Sequence, residues 1–169
     1  MIFLDESGAK TNLTRLRGRA KRGERVRAAI PQGRWETTTM ISSIRIDGTT
    51  ACMTMDGPTD ASVFQAYVKE VLGPMLRAGD VVVMDNLSSH KNDGVSELIK
   101  ERGAQVRFLP AYSPDLNPIE MMWSKVKTSL RSAEARTQRA LTKAIASALA
   151  GVTTQDARNW YAHCGYSFI

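Results

Sequence analysis

Cysteine is nearly absent from this chain, and what there is carries no pattern. Cys52 and Cys164 stand alone, without the paired spacing of a zinc site, and read as two reduced, packed thiols rather than a disulfide framework. Only two histidines occur, and His163 beside Cys164 is too isolated to suggest a metal site. No apolar run approaches the roughly 20 residues of a membrane span. No charged N-terminal region followed by a long apolar stretch marks a signal peptide. The expectation is therefore a cytoplasmic protein with no membrane partner. Glycine-rich phosphate loops, nucleotide fingerprints, Ser-His-Asp order, internal repeats and low-complexity tracts are all missing. Acidic residues are scarce in one place above all. From Lys10 to Arg34 nine basic residues face the single acid Glu24.

What is present is an ordinary globular composition, 43% hydrophobic and 24% charged, in 169 residues. That length suits one domain, spanning 1–169, with a sizeable core. The net charge is +6, of which the Lys10–Arg34 segment holds +8, leaving −2 elsewhere. A second basic cluster, Lys125, Lys127, Arg131, Arg136, Arg139 and Lys143, is opposed only by Glu134. Charge runs are commonly solvated faces. Two of them in a chain of pI 9.6 point to a polyanionic partner, a nucleic acid, with Arg15, Arg17, Arg19, Lys21, Arg22, Lys125, Lys127 and Arg131 as candidate contacts.

The element pattern is mixed. Residues 1–5 and 80–85 read as buried strands, each an apolar run closed by an acid, Asp5 and Asp85. Residues 8–34 read as loop with a short strand near Val26–Ile30. Two strands flank the Asp47-Gly48 turn signal. A helix capped by Asp60 is expected to run to about Arg77, another over 92–102, and a strand over 104–109. A proline-rich loop then leads to a helix with Asn117 as cap and Pro118 in its first turn. Ile119, Met122, Trp123, Val126 and Leu130 give that helix its apolar stripe, so Trp123 reads as core. Two more helices follow, over 137–150 and 154–162. The order gives an α/β class with a mixed sheet.

Three acids stand out: Asp5, Asp85 and Glu120. Each has a structural reading. Asp5 can be a polar strand end, Asp85 can close an Asx-turn, and Glu120 sits where a capping box with Asn117 would place it. Together they read differently. Carboxylates at strand ends lie where open α/β sheets bind ligands. Three in one place repel by roughly 4 kcal/mol per pair at ~4 Å and an effective dielectric of about 20, which calls for a cation. Oxygen-only ligands favour Mg²⁺ or Mn²⁺.

The blocks Leu4-Asp-Glu-Ser7, Met84-Asp-Asn-Leu-Ser-Ser-His-Lys91 and Leu109-Pro-Ala-Tyr-Ser-Pro-Asp-Leu-Asn-Pro-Ile-Glu-Met-Met-Trp123 resemble the catalytic blocks of mariner-superfamily DDE transposases, most closely the bacterial insertion-sequence branch. Thirty-four residues lie between Asp85 and Glu120, a spacing similar to that family's. The resemblance implies a ribonuclease H-like fold: a five-stranded mixed sheet of order 3-2-1-4-5 flanked by helices, strand 2 antiparallel, and Asp5 beside Asp85. It implies that Asp5, Asp85 and Glu120 hold two Mg²⁺ ions, with Mn²⁺ as substitute. The implied activity is strand cleavage at transposon ends and transfer of the 3′-OH into target DNA, with double-stranded DNA as partner and a homodimer on it. Two other readings remain open: a ribonuclease H-like nuclease without strand transfer, and a non-catalytic DNA-binding remnant. His90, Asn117 and Asp115 are possible accessory residues. Glu6 reads as pointing away from Asp5, Tyr112 as a base-stacking or loop-packing residue, and Trp35 as undecided. Members of the family carry an N-terminal helix-turn-helix, and the start almost on the first catalytic strand leads to the expectation that it is absent here.

Overall fold

The computed structural model describes residues 1–86 and 93–167. Five strands form one sheet: β1 (Ile2–Lys10), β2 (Thr37–Arg45), β3 (Thr50–Asp56), β4 (Val81–Met84) and β5 (Gln105–Phe108). Their order is β3-β2-β1-β4-β5, with β1–β2 and β2–β3 antiparallel and β1–β4 and β4–β5 parallel. This is the expected mixed sheet, strand 2 included. Five helices cover it: α1 (Ala61–Tyr67), α2 (Asp93–Glu101), α3 (Pro118–Ala133), α4 (Gln138–Ala150) and α5 (Thr154–His163).

Alternation along β1 sorts the two faces. Ile2 and Leu4 join Ile41, Val82 and Met84 under α1 and α2, with Phe64, Tyr67, Val95 and Ile99. Phe3 points the other way, with Met40, Ile44 and Val83, into a core closed by α3, α4 and α5. Trp123 lies at the heart of that second core, 1% exposed, as its place on the apolar stripe predicts. Tyr161 of α5 meets Phe3 edge-on at 5.2 Å and donates its hydroxyl to the Ile44 carbonyl at 2.8 Å. Tyr166 packs on Phe3 at 4.9 Å and donates to the Leu116 carbonyl at 2.8 Å.

The turn at Asp47-Gly48 forms as expected. Gly48 has φ +85°, and a Cβ there would lie 2.9 Å from the Thr153 carbonyl carbon, so both conformation and space demand glycine. A buried ion pair ties β2 to the start of β4. Arg45 spans both oxygens of Asp80 at 2.7 and 2.5 Å and also reaches the Met75 carbonyl.

Several expectations need correction. The first strand does not stop at Asp5; it continues to Lys10, because β2 pairs with it residue for residue as far as Lys10 opposite Thr37. No strand forms at 26–30, where every residue is exposed. The helix capped by Asp60 does not run on to Arg77. It widens to a π-turn over Val68–Leu72 and tightens to a 3₁₀ turn over Gly73–Met75. Pro74 has no N–H to return to the preceding turn, and the Gly73 N–H reaches back to the Val68 carbonyl instead. Asn117 precedes α3 in the cap position, but its side chain makes no capping bond, and no capping box with Glu120 forms.

Candidate active site

Leu4 pairs with Met84 across the parallel β1–β4 ladder, so Asp5 and Asp85 leave that ladder side by side. By strand parity Asp5 shares the face of Phe3, and Asp85 that of Val83, which is the face covered by α3. The structure brings both onto one cleft with Glu120, in the first turn of α3. The cleft has a volume of about 340 Å³. Asn86, Asn117 and the loop from Leu109 to Pro114 complete its walls. β4 ends at Met84, and β1 runs on past it, which leaves the sheet open beside Asp5.

The three carboxylates differ in surroundings. Asp5 is 9% exposed and accepts the Glu6 N–H at 2.8 Å. Burial pushes its carboxyl up to about 7. The bond from Glu6 opposes that, and the charges of Glu120, Asp85 and Glu6 add to it. Asp85 is half-buried, and Glu120 is exposed. Among the described residues no three Asp, Glu, His or Cys side chains are gathered tightly enough to hold an ion as they stand. Ionised carboxylates sharing a cleft repel, which opposes closer approach.

The donor set nevertheless fits a hard divalent cation. Every polar side chain on the acid wall offers oxygen. Asn117 is 4% exposed, and its buried Oδ1 has no hydrogen-bond partner among the described residues. That oxygen is closed off from solvent, so the fit to a cation rests on the carboxylates of Asp5, Asp85 and Glu120.

The remaining candidates divide. Asn117 lines the cleft, and Asp115 is exposed and does not. His90 lies outside the described residues. Glu6 is half-buried and does not line the cleft, as its parity predicts. Tyr112 neither packs over the loop nor is buried. It stands fully exposed at the rim with φ 58°. Trp35 is half-exposed beneath the Lys10 ammonium, 5.6 Å from the ring centre. Sequence reasoning misses Asn86, although its adjacency to Asp85 is the available signal.

Of the candidate DNA contacts, Arg15, Arg17, Arg19, Lys21 and Arg22 are exposed on the segment between β1 and β2. Lys127 and Arg131 are half-buried on α3. Lys125 is engaged elsewhere, in an ion pair with Asp156 at 2.5 Å, which holds α3 to α5.

Known proteins resemble this chain in sequence and in fold. The chain is 30% identical over 83 residues to the Transposable element Tcb1 transposase of Caenorhabditis briggsae, covering 47% of this chain and 30% of that protein. It is 28% identical over 85 residues to the Tcb2 transposase of the same organism, covering 48% and 31%. The Mos1 transposase paired-end complex with left transposon end superposes with TM-score 0.73 at 20% identity, over 95% of this chain and 51% of that one. The mariner Mos1 paired end complex with Mg gives 0.68 at 18% identity, over 97% and 51%. The chain thus spans under a third of the curated relatives' length and about half of the solved ones. The fold is the ribonuclease H-like one of the Mos1 catalytic domain. A family model described as DDE superfamily endonuclease matches residues 1–142, and the chain belongs to that family.

Proposed function

We propose that this chain is the catalytic domain of a DNA transposase. It cleaves DNA strands at transposon ends and joins the freed 3′-OH to target DNA. The observation that carries this reading is the meeting of Asp5, Asp85 and Glu120, from two adjacent strands and one helix, on a single cleft. The transposase relatives, and Mos1 complexes with Mg and with Mn, support it. Double-stranded DNA is the partner, and two protomers act together on it.

Asp5, Asp85 and Glu120 would hold the metal, Mg²⁺ with Mn²⁺ as substitute. When bound, two such ions activate the attacking oxygen and stabilise the leaving oxygen of an in-line phosphoryl displacement. The chain's own residues supply the rest. Asp5 is fixed by the Glu6 N–H, so one carboxylate oxygen is oriented and the other is free for the cleft. Asp5 must release its proton before serving as a ligand, so metal uptake below pH 7 is coupled to proton release. Pro118 in the first turn of α3 sets the helix start, and Glu120 is presented from there without a cap to hold it back. The loop from Leu109 to Pro114 forms one wall of the cleft.

The test is nicking of supercoiled plasmid with Mg²⁺ or Mn²⁺, paired with joining of a 3′-OH oligonucleotide to a second duplex. Asp85→Asn should keep the fold and lower nicking by about 10³-fold or more, the loss expected when one member of a cooperating set is removed. Nicking without joining would identify a nuclease. Nicking by Asp85→Asn at the wild-type rate would sink the site assignment.

A further inference from the structure

Ser124, Thr128 and Ser132 follow Glu120 at intervals of four along α3, so these four side chains form one row on the helix. All four are exposed. Across from the row, the irregular segment between β1 and β2 lays down Arg15, Leu16 and Arg17. Together with Arg131 these residues enclose a groove of about 730 Å³. No acid lines it.

The segment is held in place there. Arg136, just beyond α3, donates to the carbonyls of Thr11 and Leu13 at 3.2 and 2.7 Å. The two ends of the segment close on each other, with the Thr11 N–H on the Glu36 carbonyl and the Glu36 N–H on the Thr11 hydroxyl, both at 3.1 Å. Two basic clusters far apart in sequence therefore face each other across the hydroxyls of Ser124, Thr128 and Ser132; that of Thr128 donates to the Ser124 carbonyl at 2.8 Å and offers its lone pairs only. Guanidinium forks and hydroxyls are the groups that bind phosphate oxygens.

We infer that this groove is a second phosphate-binding site, which takes the backbone of the same DNA strand whose reacting phosphate lies at Glu120. The inference rests on the function proposed above. At 1.5 Å of rise per residue, Ser124 stands about 6 Å and Arg131 about 16 Å along the helix from Glu120. One strand of duplex DNA carries a phosphate every ~3.4 Å of axis, so the groove meets phosphates roughly two to five nucleotides from the reacting one. The row on α3 is the track between the two sites. The groove grips backbone, so it holds and orients a strand without reading its bases.

The experiment measures binding of the whole chain to a fluorescent duplex of fixed sequence in Ca²⁺, over a salt series. The test variant carries Arg15→Gln, Arg17→Gln and Arg131→Gln. The control carries Arg25→Gln, Arg27→Gln and Arg34→Gln, the same charge change at exposed positions that do not line the groove. Every phosphate that is no longer neutralised lowers the slope of log K against log salt by about 0.9, so the slope should fall by about 1 to 3 in the test variant and by less than half as much in the control. Thr128→Trp fills the groove and keeps every charge, and should weaken binding about tenfold. Equal slopes for test and control, unchanged affinity in Thr128→Trp, or no salt-dependent binding by the unaltered chain would each overturn the groove. Unfolding midpoints check that the variants are folded. Plasmid nicking separates the two readings. Nicking that needs Asp85 while the test slope is unchanged removes the groove alone. A groove-dependent slope in a chain that never nicks leaves the groove as a backbone-binding site and removes the transposase reading, and with it the reacting phosphate at Glu120.

Discussion

Replacing Asp5 with Asn should stabilise the metal-free protein, and the gain should grow with pH. Asp5 is nearly buried, and its carboxyl titrates at about 7 in the folded chain, against an ordinary value near 3.9 in the unfolded one. A carboxyl raised in this way favours folding fully below pH ~4, and that contribution is lost as pH rises through about 7. The shift is about three units, and at ~1.36 kcal/mol per unit the loss approaches 4 kcal/mol in mild alkali. Asparagine carries no charge to desolvate, and its Oδ1 can still accept the Glu6 N–H. It also buries an amide that is not fully paired, so a gain of about 2–4 kcal/mol is expected near pH 8.5 and little at pH 5. For a domain of this size each kcal/mol moves the midpoint by about 2–4 °C. The assay is thermal unfolding in EDTA at the two pH values, with urea unfolding as a check. Saturating Mg²⁺ should narrow the gap, since an ion held at 100 times its Kd adds ~2.7 kcal/mol to a protein that binds it, and the variant has lost a ligand. Equal midpoints at both pH values, or a gap that shrinks as pH rises, would refute the reasoning.

Two other outcomes test the frame around the cleft. Asp80→Asn should cost about 1–3 kcal/mol by removing the charged partner of the partly buried Arg45 guanidinium, which keeps the Met75 carbonyl, and a urea curve measures it. Arg45 holds the Asp80 carboxyl below the usual range, so the contribution of Asp80 is present above pH ~4 and fades as pH falls through that depressed value. Tyr112→Gly should raise stability by about 1–2 kcal/mol, because the ring is fully exposed and glycine adopts φ 58° without strain; a lower midpoint would mean the ring is packed.

Much of the cleft is legible in the sequence, for reasons that vary by residue. Apolar runs ending in acid mark Asp5 as a buried strand residue and Asp85 as the half-buried residue just past β4. Their adjacency is not derivable from element order, since a parallel β1–β4 pairing skips two intervening strands; it comes with the family resemblance. The length of β1 is hidden because Gly8 and Lys10 look like loop, and only the long β2 partner makes them strand. Residues 26–30 carry a weak strand signal but bury nothing: all five are exposed, and they lie outside the five-stranded ladder. Asn117 and Glu120 match the spacing of a capping box, yet tertiary context turns both toward the cleft instead. The meeting of Arg15 and Arg17 with Arg131 depends on pairings more than a hundred positions apart, which no local pattern encodes.

The bond from Tyr166 to Leu116 bears on biosynthesis. Leu116 lies in the short turn (Pro114–Leu116) that leads from the cleft wall to the start of α3, and its anchor is translated fifty residues later. Phe3, two positions before Asp5, likewise waits for Tyr161 and Tyr166 to complete its packing. A chain still on the ribosome with α5 inside the exit tunnel has all three acids outside and neither aromatic clasp in place. The bracing of the cleft wall and of the first strand is thereby deferred until α5 and Tyr166 have emerged, so the last residues made secure the first.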